Sequence, residues 1–410
     1  MVTETAPIPA SERLQDQPWM APLKKPFDKI YVFWLAGMSC DGCSIAVTGA
    51  TNPPLEKLLL GHVPALPKVI LHHPVLAIES GSAYMENFRR ALRGELDAPY
   101  VVCLEGSACD ESMSGDGYWV ALGVGNIEEE EANIIDGVRQ PVRVMDWVKA
   151  LAPGAAACIA VGTCATWGGI PAAYGNPTGA MSLQDLLGKD FRSAFGLPVV
   201  NIPGCSPVGD NIMETVAAVV LFLQGLGPLP EFDDLGRPAW LFGETVHRHC
   251  VRAGYYEEGV FAKTYGDKEC LVEIGCWGPT VQCNISERGA INGVGGCMNT
   301  GGPCIGCTMP GFPDKFAPFY KTPPGAFFSS NTSRITGGGI RRLRQISQKN
   351  LNRSMITDRR GKVSSGWTVE EAQATPVDKA THYFYEKWQF WGSTKPGSKK
   401  SNEVAGRKKK

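Results

Sequence analysis

Residues 29–37 read KIYVFWLAG, a short apolar run rich in β-branched and aromatic side chains that ends in glycine. The theme returns at 68–79 (KVILHHPVLAIE), 98–107 (APYVVCLEGS), 155–164 (AAACIAVGTC) and 197–205 (LPVVNIPGC). Apolar runs of this length, most of them closed by a Gly-containing loop, are strand candidates. Between them, Ala83–Leu92, Val142–Leu151 and Asn211–Leu223 carry apolar residues at helical spacing. Strands alternating with helices predict a parallel sheet with right-handed crossovers, placed at residues 28–228.

Outward from that domain the character of the chain changes. Residues 1–27 are a polar, Pro-containing leader without an apolar signal segment or a twin-arginine pair. GLGPLPEFDDLGRP (225–238) is a linker. Residues 229–320 are dense in cysteine and lose periodicity, and residues 321–410 form an extended tail, rich in Arg and Lys, whose end is expected to be disordered. Within the tail lie the basic stretch GIRRLRQISQKNLNR (339–353) and the aromatic knot THYFYEKWQFWG (381–392). The 43% hydrophobic share is that of a soluble globular protein, and a net charge of −1 gives no reason to expect nucleic acid. No apolar run is long enough to span a bilayer. Fourteen cysteines in 410 residues is not the density of a small disulfide scaffold. Reduced thiols in a cytoplasmic protein are expected, the state that metal ligation requires.

Cys40 and Cys43 follow the first strand as C-x2-C; Cys164 and Cys205 follow the strands at 155–164 and 197–205. In an open parallel sheet the loops after the strand C-termini share one edge, so thiols far apart in sequence can meet there. Gly42, Gly162, Gly168, Gly169 and Gly204 would let backbone approach a bulky cluster. Cys103 and Cys158 sit inside strands and read as small buried hydrophobes. Cys109 lies on the same sheet edge as a spare thiol, and His72 and His73 read as structural.

The run from His247 to Cys307 holds seven more cysteines. His247, Cys250, Cys270 and Cys276 can hold one [4Fe–4S] cluster, with a Cys3His zinc site as the rival. Cys283, Cys297, Cys304 and Cys307 make a second complete four-thiol set; with three thiols a [3Fe–4S] cluster would be more natural. Cys297 therefore decides cluster type.

WLAGMSCDGCS, GTCATWGG, PGCSP, GETVHRHC, CLVEIGCWGP and GGPCIGCTMPGF, in that order over about residues 30–320, resemble the small subunit of a [NiFe] hydrogenase. The resemblance implies an α/β fold: a flavodoxin-like, doubly wound parallel-sheet domain, then a largely irregular cluster-binding domain. It implies a proximal cluster on Cys40, Cys43, Cys164 and Cys205, a distal one on His247, Cys250, Cys270 and Cys276, and a medial one on Cys283, Cys304 and Cys307. Many members carry proline where this chain has Cys297, so the fourth thiol predicts [4Fe–4S] in the medial site and three [4Fe–4S] clusters in all. Asp41 is an alternative oxygen ligand at the proximal site. Oxygen-tolerant membrane-bound members add two cysteines where this chain has Gly42 and Gly169, so a [4Fe–3S] cluster is not expected.

What the resemblance further implies is a hydrogenase that is enzymatic only as a complex. The Ni–Fe centre would sit on a separate large subunit, and this chain would pass electrons from H2 oxidation to an acceptor protein or quinone. It resembles the soluble, actinobacterial-type uptake branch, and a higher oligomer of heterodimers is expected. A cytoplasmic location, with any membrane association through partners, is expected. The rival reading is a zinc-binding structural or assembly protein.

Overall fold

The computed structural model describes residues 26–314 and Phe316. The expected leader up to residue 25, and the tail with its basic stretch and aromatic knot, lie outside the described residues. The chain divides into two units at Pro238–Ala239.

The strands of the first unit are β1 (Lys29–Ala36), β2 (Lys68–His72), β3 (Tyr100–Glu105), β4 (Ala121–Val124), β5 (Ile134–Ile135), β6 (Val138–Arg139), β7 (Pro141–Arg143), β8 (Ala157–Val161) and β9 (Val200–Ile202). Five of them form one sheet in the order β2-β1-β3-β8-β9, every neighbouring pair parallel. β4 with β7 and β5 with β6 are small antiparallel pairs. The chain first winds from β1 to β2 and then back past β1 to β3, so the winding direction reverses between β1 and β3. That reversal opens a crevice at the C-terminal ends of these two strands.

The helices are α1 (Gly42–Thr48), α2 (Leu55–Leu60), α3 (Gly81–Leu92), α4 (Val144–Leu151), α5 (Gly162–Trp167), α6 (Leu183–Leu187) and α7 (Gly209–Leu223). Strand side chains alternate between faces. Tyr31, Phe33 and Leu35 of β1 pack with Phe88 of α3 and Trp147 of α4. Ile30, Val32 and Trp34 pack on the other face with Val47 of α1, Leu58 of α2 and Ile212 of α7. β3 and β8 are buried along their whole length, as central parallel strands are when helices cover both faces. Truncating Phe33, which is fully buried, to alanine would cost about 3–5 kcal/mol.

Two details depart from the sequence reading. The run at 68–79 is strand only to His72; Pro74 follows, and Val75, Leu76 and Ile78 are exposed despite their apolar character. The linker 225–238 belongs to the first unit, past the expected boundary at 228. The reason is a polar clasp: Asn201 donates from its side-chain amide to the Leu235 carbonyl (2.7 Å) and from its backbone to Gly236 (2.9 Å), while buried Arg237 pairs with Asp233 (2.7 Å).

The second unit is built from single turns: helical Ala239–Phe242, Ala253–Glu258 and Ile285–Arg288, and 3-10 turns at Val246–His249 and Leu271–Ile274. Its core gathers Val246, Trp277, Val281, Met298, Met309, Phe312 and Phe316 around Cys304. Among the described residues this core is small, and turns hold most of the segment.

Candidate metal centres

Four thiols meet at the C-terminal edge of the sheet. Cys40 and Cys43 flank the start of α1, Cys164 lies in α5, and Cys205 follows β9. Asp41, at φ 59°, makes the turn into α1, its N–H held by the Ser39 hydroxyl (3.0 Å). The thiols act on one another electrostatically. Cys43 is pushed far up by burial, then by the Glu105 charge, then by Cys164, Cys40 and Cys205. Cys164 is pushed up to about 11 by burial and then by Cys205; Cys205 is raised by burial and by Cys40.

Glycine backs three of these sulfurs. A Cβ on Gly162 would stand 2.4 Å from Cys43 Sγ, one on Gly169 2.7 Å from Cys164 Sγ, and one on Gly42 3.3 Å from Cys40 Sγ. Thiols brought to one edge of the sheet and lined by backbone suit a cationic iron–sulfur core, which would take them up as thiolates and release their protons.

Glu105 was not foreseen as part of this site. It ends β3 and is buried, yet it collects the N–H groups of Cys43 (3.0 Å) and Ser44 (3.2 Å), the Trp34 indole N–H (2.9 Å) and the Ser44 hydroxyl. A carboxylate here meets the positive end of α1 and fixes Cys43 against the sheet. His73 accepts at Nδ1 from the N–H groups of Val75 (3.1 Å) and Leu76 (3.3 Å), so its proton is on Nε2, facing the Ser44 hydroxyl at 2.7 Å. The sequence signal was a lone carboxylate closing an apolar strand.

Of the other thiols in this unit, Cys103 and Cys158 are buried on opposite faces of the sheet, as expected. Cys109 is buried and donates to Glu111 (3.3 Å), a carboxylate that also accepts from the backbone of Trp119 and Val120.

In the second unit His247, Cys250, Cys270 and Cys276 line one cavity of about 10 Å³, together with Arg252 and Met298. The His247 ring stands edge-on to Tyr256 at 4.5 Å. Cys276 Sγ accepts N–H groups from Cys304 (3.2 Å) and Gly278 (3.4 Å), and Cys250 Sγ accepts from Arg252 (3.4 Å). Burial pushes Cys270 up to about 12 and Cys276 to about 11.

Cys304 is buried and raised by that burial, then by Cys276, Cys307 and, more weakly, Cys283. Exposed Cys297 acts on Cys276. His249 turns outward to Glu244 (2.9 Å). Among the described residues, no three His, Cys, Asp or Glu side chains are grouped as a single metal ion would need. A four-iron cube holds its thiolates farther apart than a tetrahedral zinc with bonds of about 2.3 Å.

Comparison with known proteins agrees with this geometry. Residues 242–320 match the family model for the C-terminal part of the NiFe/NiFeSe hydrogenase small subunit. Residues 40–219 match the model for the 20 kDa subunit of NADH ubiquinone oxidoreductase. The periplasmic [NiFeSe] hydrogenase small subunit of Desulfomicrobium baculatum is 32% identical over 71% of this chain and 87% of its own length. The hydrogenase-2 small chain of Escherichia coli K12 is 34% identical over 68% of this chain and 67% of its own. Among solved structures, the actinobacterial-type NiFe-hydrogenase of Ralstonia eutropha H16 superposes with a TM-score of 0.69 at 48% identity, covering 80% of this chain and 92% of that one. A five-stranded parallel sheet carrying four thiols at one edge, an irregular segment carrying seven more, and these relatives place the chain in the family of [NiFe] hydrogenase small subunits, the iron–sulfur electron-transfer part of the hydrogenase complex.

Proposed function

We propose that the chain holds three [4Fe–4S] clusters: a proximal one on Cys40, Cys43, Cys164 and Cys205, a medial one on Cys283, Cys297, Cys304 and Cys307, and a distal one on His247, Cys250, Cys270 and Cys276. When bound, such clusters supply one-electron carriers between a Ni–Fe centre on the large subunit and an acceptor protein or quinone. The chain's own work is to ligate, to exclude water and to bias the site by hydrogen bonds to sulfur. The observation that carries the reading is the meeting of four thiols, drawn from three strand ends, behind a glycine floor. Glycine, not cysteine, stands at positions 42 and 169, the second packed so closely on Cys164 Sγ that a side chain has no room, which supports an ordinary cube over [4Fe–3S]. Asp41, in the turn between two ligands, is the substitute oxygen donor should one thiol be released.

The large subunit is the proposed cover for the sheet edge. Ile45, Val75, Ile78, Met113 and Ile170 are exposed on the segments that follow β1, β2, β3 and β8, the same edge that bears the proximal thiols. Obligate partners bury surfaces of this kind. Among the described residues no helix is long and apolar enough to cross a membrane. Cytoplasmic residence, any membrane contact through partners, and a higher oligomer of heterodimers belong to the proposal; the ligands' need for reduced thiols supports the first.

Metal analysis of the anaerobically purified complex tests it. About twelve iron and twelve sulfide per small subunit are expected. Stoichiometric zinc with no iron on this chain would overturn the assignment and favour the zinc-binding alternative.

A further inference from the structure

Arg252 stands two residues beyond Cys250 and lines the cavity formed by the distal ligand set. Its backbone N–H points at Cys250 Sγ (3.4 Å). Its guanidinium is pinned by carbonyl oxygens alone: Met298 (3.2 Å, from Nε), and Asp267 (2.5 Å) and Glu269 (2.8 Å), both from Nη1. Two neighbouring charged side chains have partners of their own. Lys263 pairs with the buried Glu273 at 2.8 Å, and the Asp267 carboxylate accepts the N–H groups of Lys263 and Thr264. Among the described residues no carboxylate is ion-paired with Arg252. Three carbonyls fix the planar fork in place without cancelling its charge.

We propose that Arg252 is the positioning residue that sets the distal reduction potential, by holding a positive charge not ion-paired to any carboxylate in the cavity it shares with Cys250 and Cys270. The inference rests on the distal assignment above. Reduction adds one electron and so one negative charge within the ligand shell. A fixed cation on a residue lining the same cavity favours that state, in a region of low effective dielectric where the charge is felt strongly. A raised potential at the last site draws electrons toward the acceptor and favours H2 oxidation over H2 evolution.

The test is an EPR-monitored redox titration of the holoenzyme complex carrying Arg252→Gln or Arg252→Lys, with iron content measured on the same samples. Glutamine keeps donors and removes the charge; lysine keeps the charge and loses the fork. The expected result is a distal potential moved to more negative values in Gln, unchanged in Lys, with a fall in the ratio of H2 uptake to H2 evolution in Gln alone. A fully loaded Gln variant with the wild-type potential overturns the proposal. So does a Lys variant whose potential falls, since the fork rather than the charge would then be responsible. Should Gln fail to retain its iron, Lys decides: loading at the wild-type potential supports the charge, and loss of iron in both variants refutes it. A wild-type complex without iron at His247, Cys250, Cys270 and Cys276 would instead sink the distal assignment itself.

Discussion

Gly162→Ala isolates the contact between backbone and sulfur at the proximal site. Gly162 opens α5 at φ +85°, and the added Cβ would stand 2.4 Å from Cys43 Sγ, where ordinary van der Waals contact begins at 3.4 Å. The sulfur must therefore retreat by roughly 1 Å, several times the ~0.2 Å tolerance of a metal–ligand distance. Cys43 cannot simply swing away, because its N–H is tied to Glu105 and α1 is packed against the sheet. Alanine in a left-handed conformation adds about 1–2 kcal/mol of backbone strain, which is not the effect of interest. Gly137→Ala controls for it: Gly137 has φ +75° and nothing within 4 Å of an added Cβ. Iron and sulfide should fall by about four of each per chain in Gly162→Ala, with loss of the proximal EPR signal, and stay at about twelve in Gly137→Ala. A Gly162→Ala complex with full iron and an unchanged spectrum would refute the proposed proximal ligand set.

Two further outcomes are expected. Cys297→Pro should convert the medial site to [3Fe–4S], seen as a new signal in EPR of the oxidised complex; an unchanged spectrum counts against Cys297 as a ligand. His72→Phe should flatten the acid limb of stability. Both ring nitrogens of His72 are buried without a hydrogen-bond partner, and the ring stacks on Phe33 at 5.2 Å. Burial holds its pKa below the usual value, so the folded state stays neutral while the unfolded state takes up a proton near 6.5. Stability contributed by the neutral ring is complete above that value and is lost as pH falls, by up to about 1.4 kcal/mol per pH unit. Denaturant midpoints at pH 7 and pH 5 should lie closer together in the variant than in wild type; an equal separation would show that His72 does not titrate on unfolding.

The sheet was legible because its strands are buried on both faces, which leaves unbroken apolar runs such as YVVCLE in β3. The run at 68–79 shows the limit of that signal. Val75 and Ile78 are apolar for a surface, not for a strand, and composition alone does not separate the two uses. Short α1 and α5 carry little periodicity; they exist because a strand ends and a glycine or Asp41 turns the chain. The thiols were visible from their positions after strands. The Glu105–Ser44–His73 chain was not, since its members are 29 and 61 residues apart and meet only through the β2-β1-β3 order. In the second unit the spacing of histidine and cysteine was readable, but the hydrogen bond that joins Cys304 to Cys276 follows from loop packing that no periodicity encodes.

The exposure of Cys40 and Cys205 bears on the order of biosynthesis. They sit on the rim that the catalytic partner is proposed to seal, so inorganic sulfide and iron have a route to them only while that rim faces solvent. On that proposal, loading of the proximal site precedes docking of the two polypeptides, and a chain docked without iron has no open path by which to complete it.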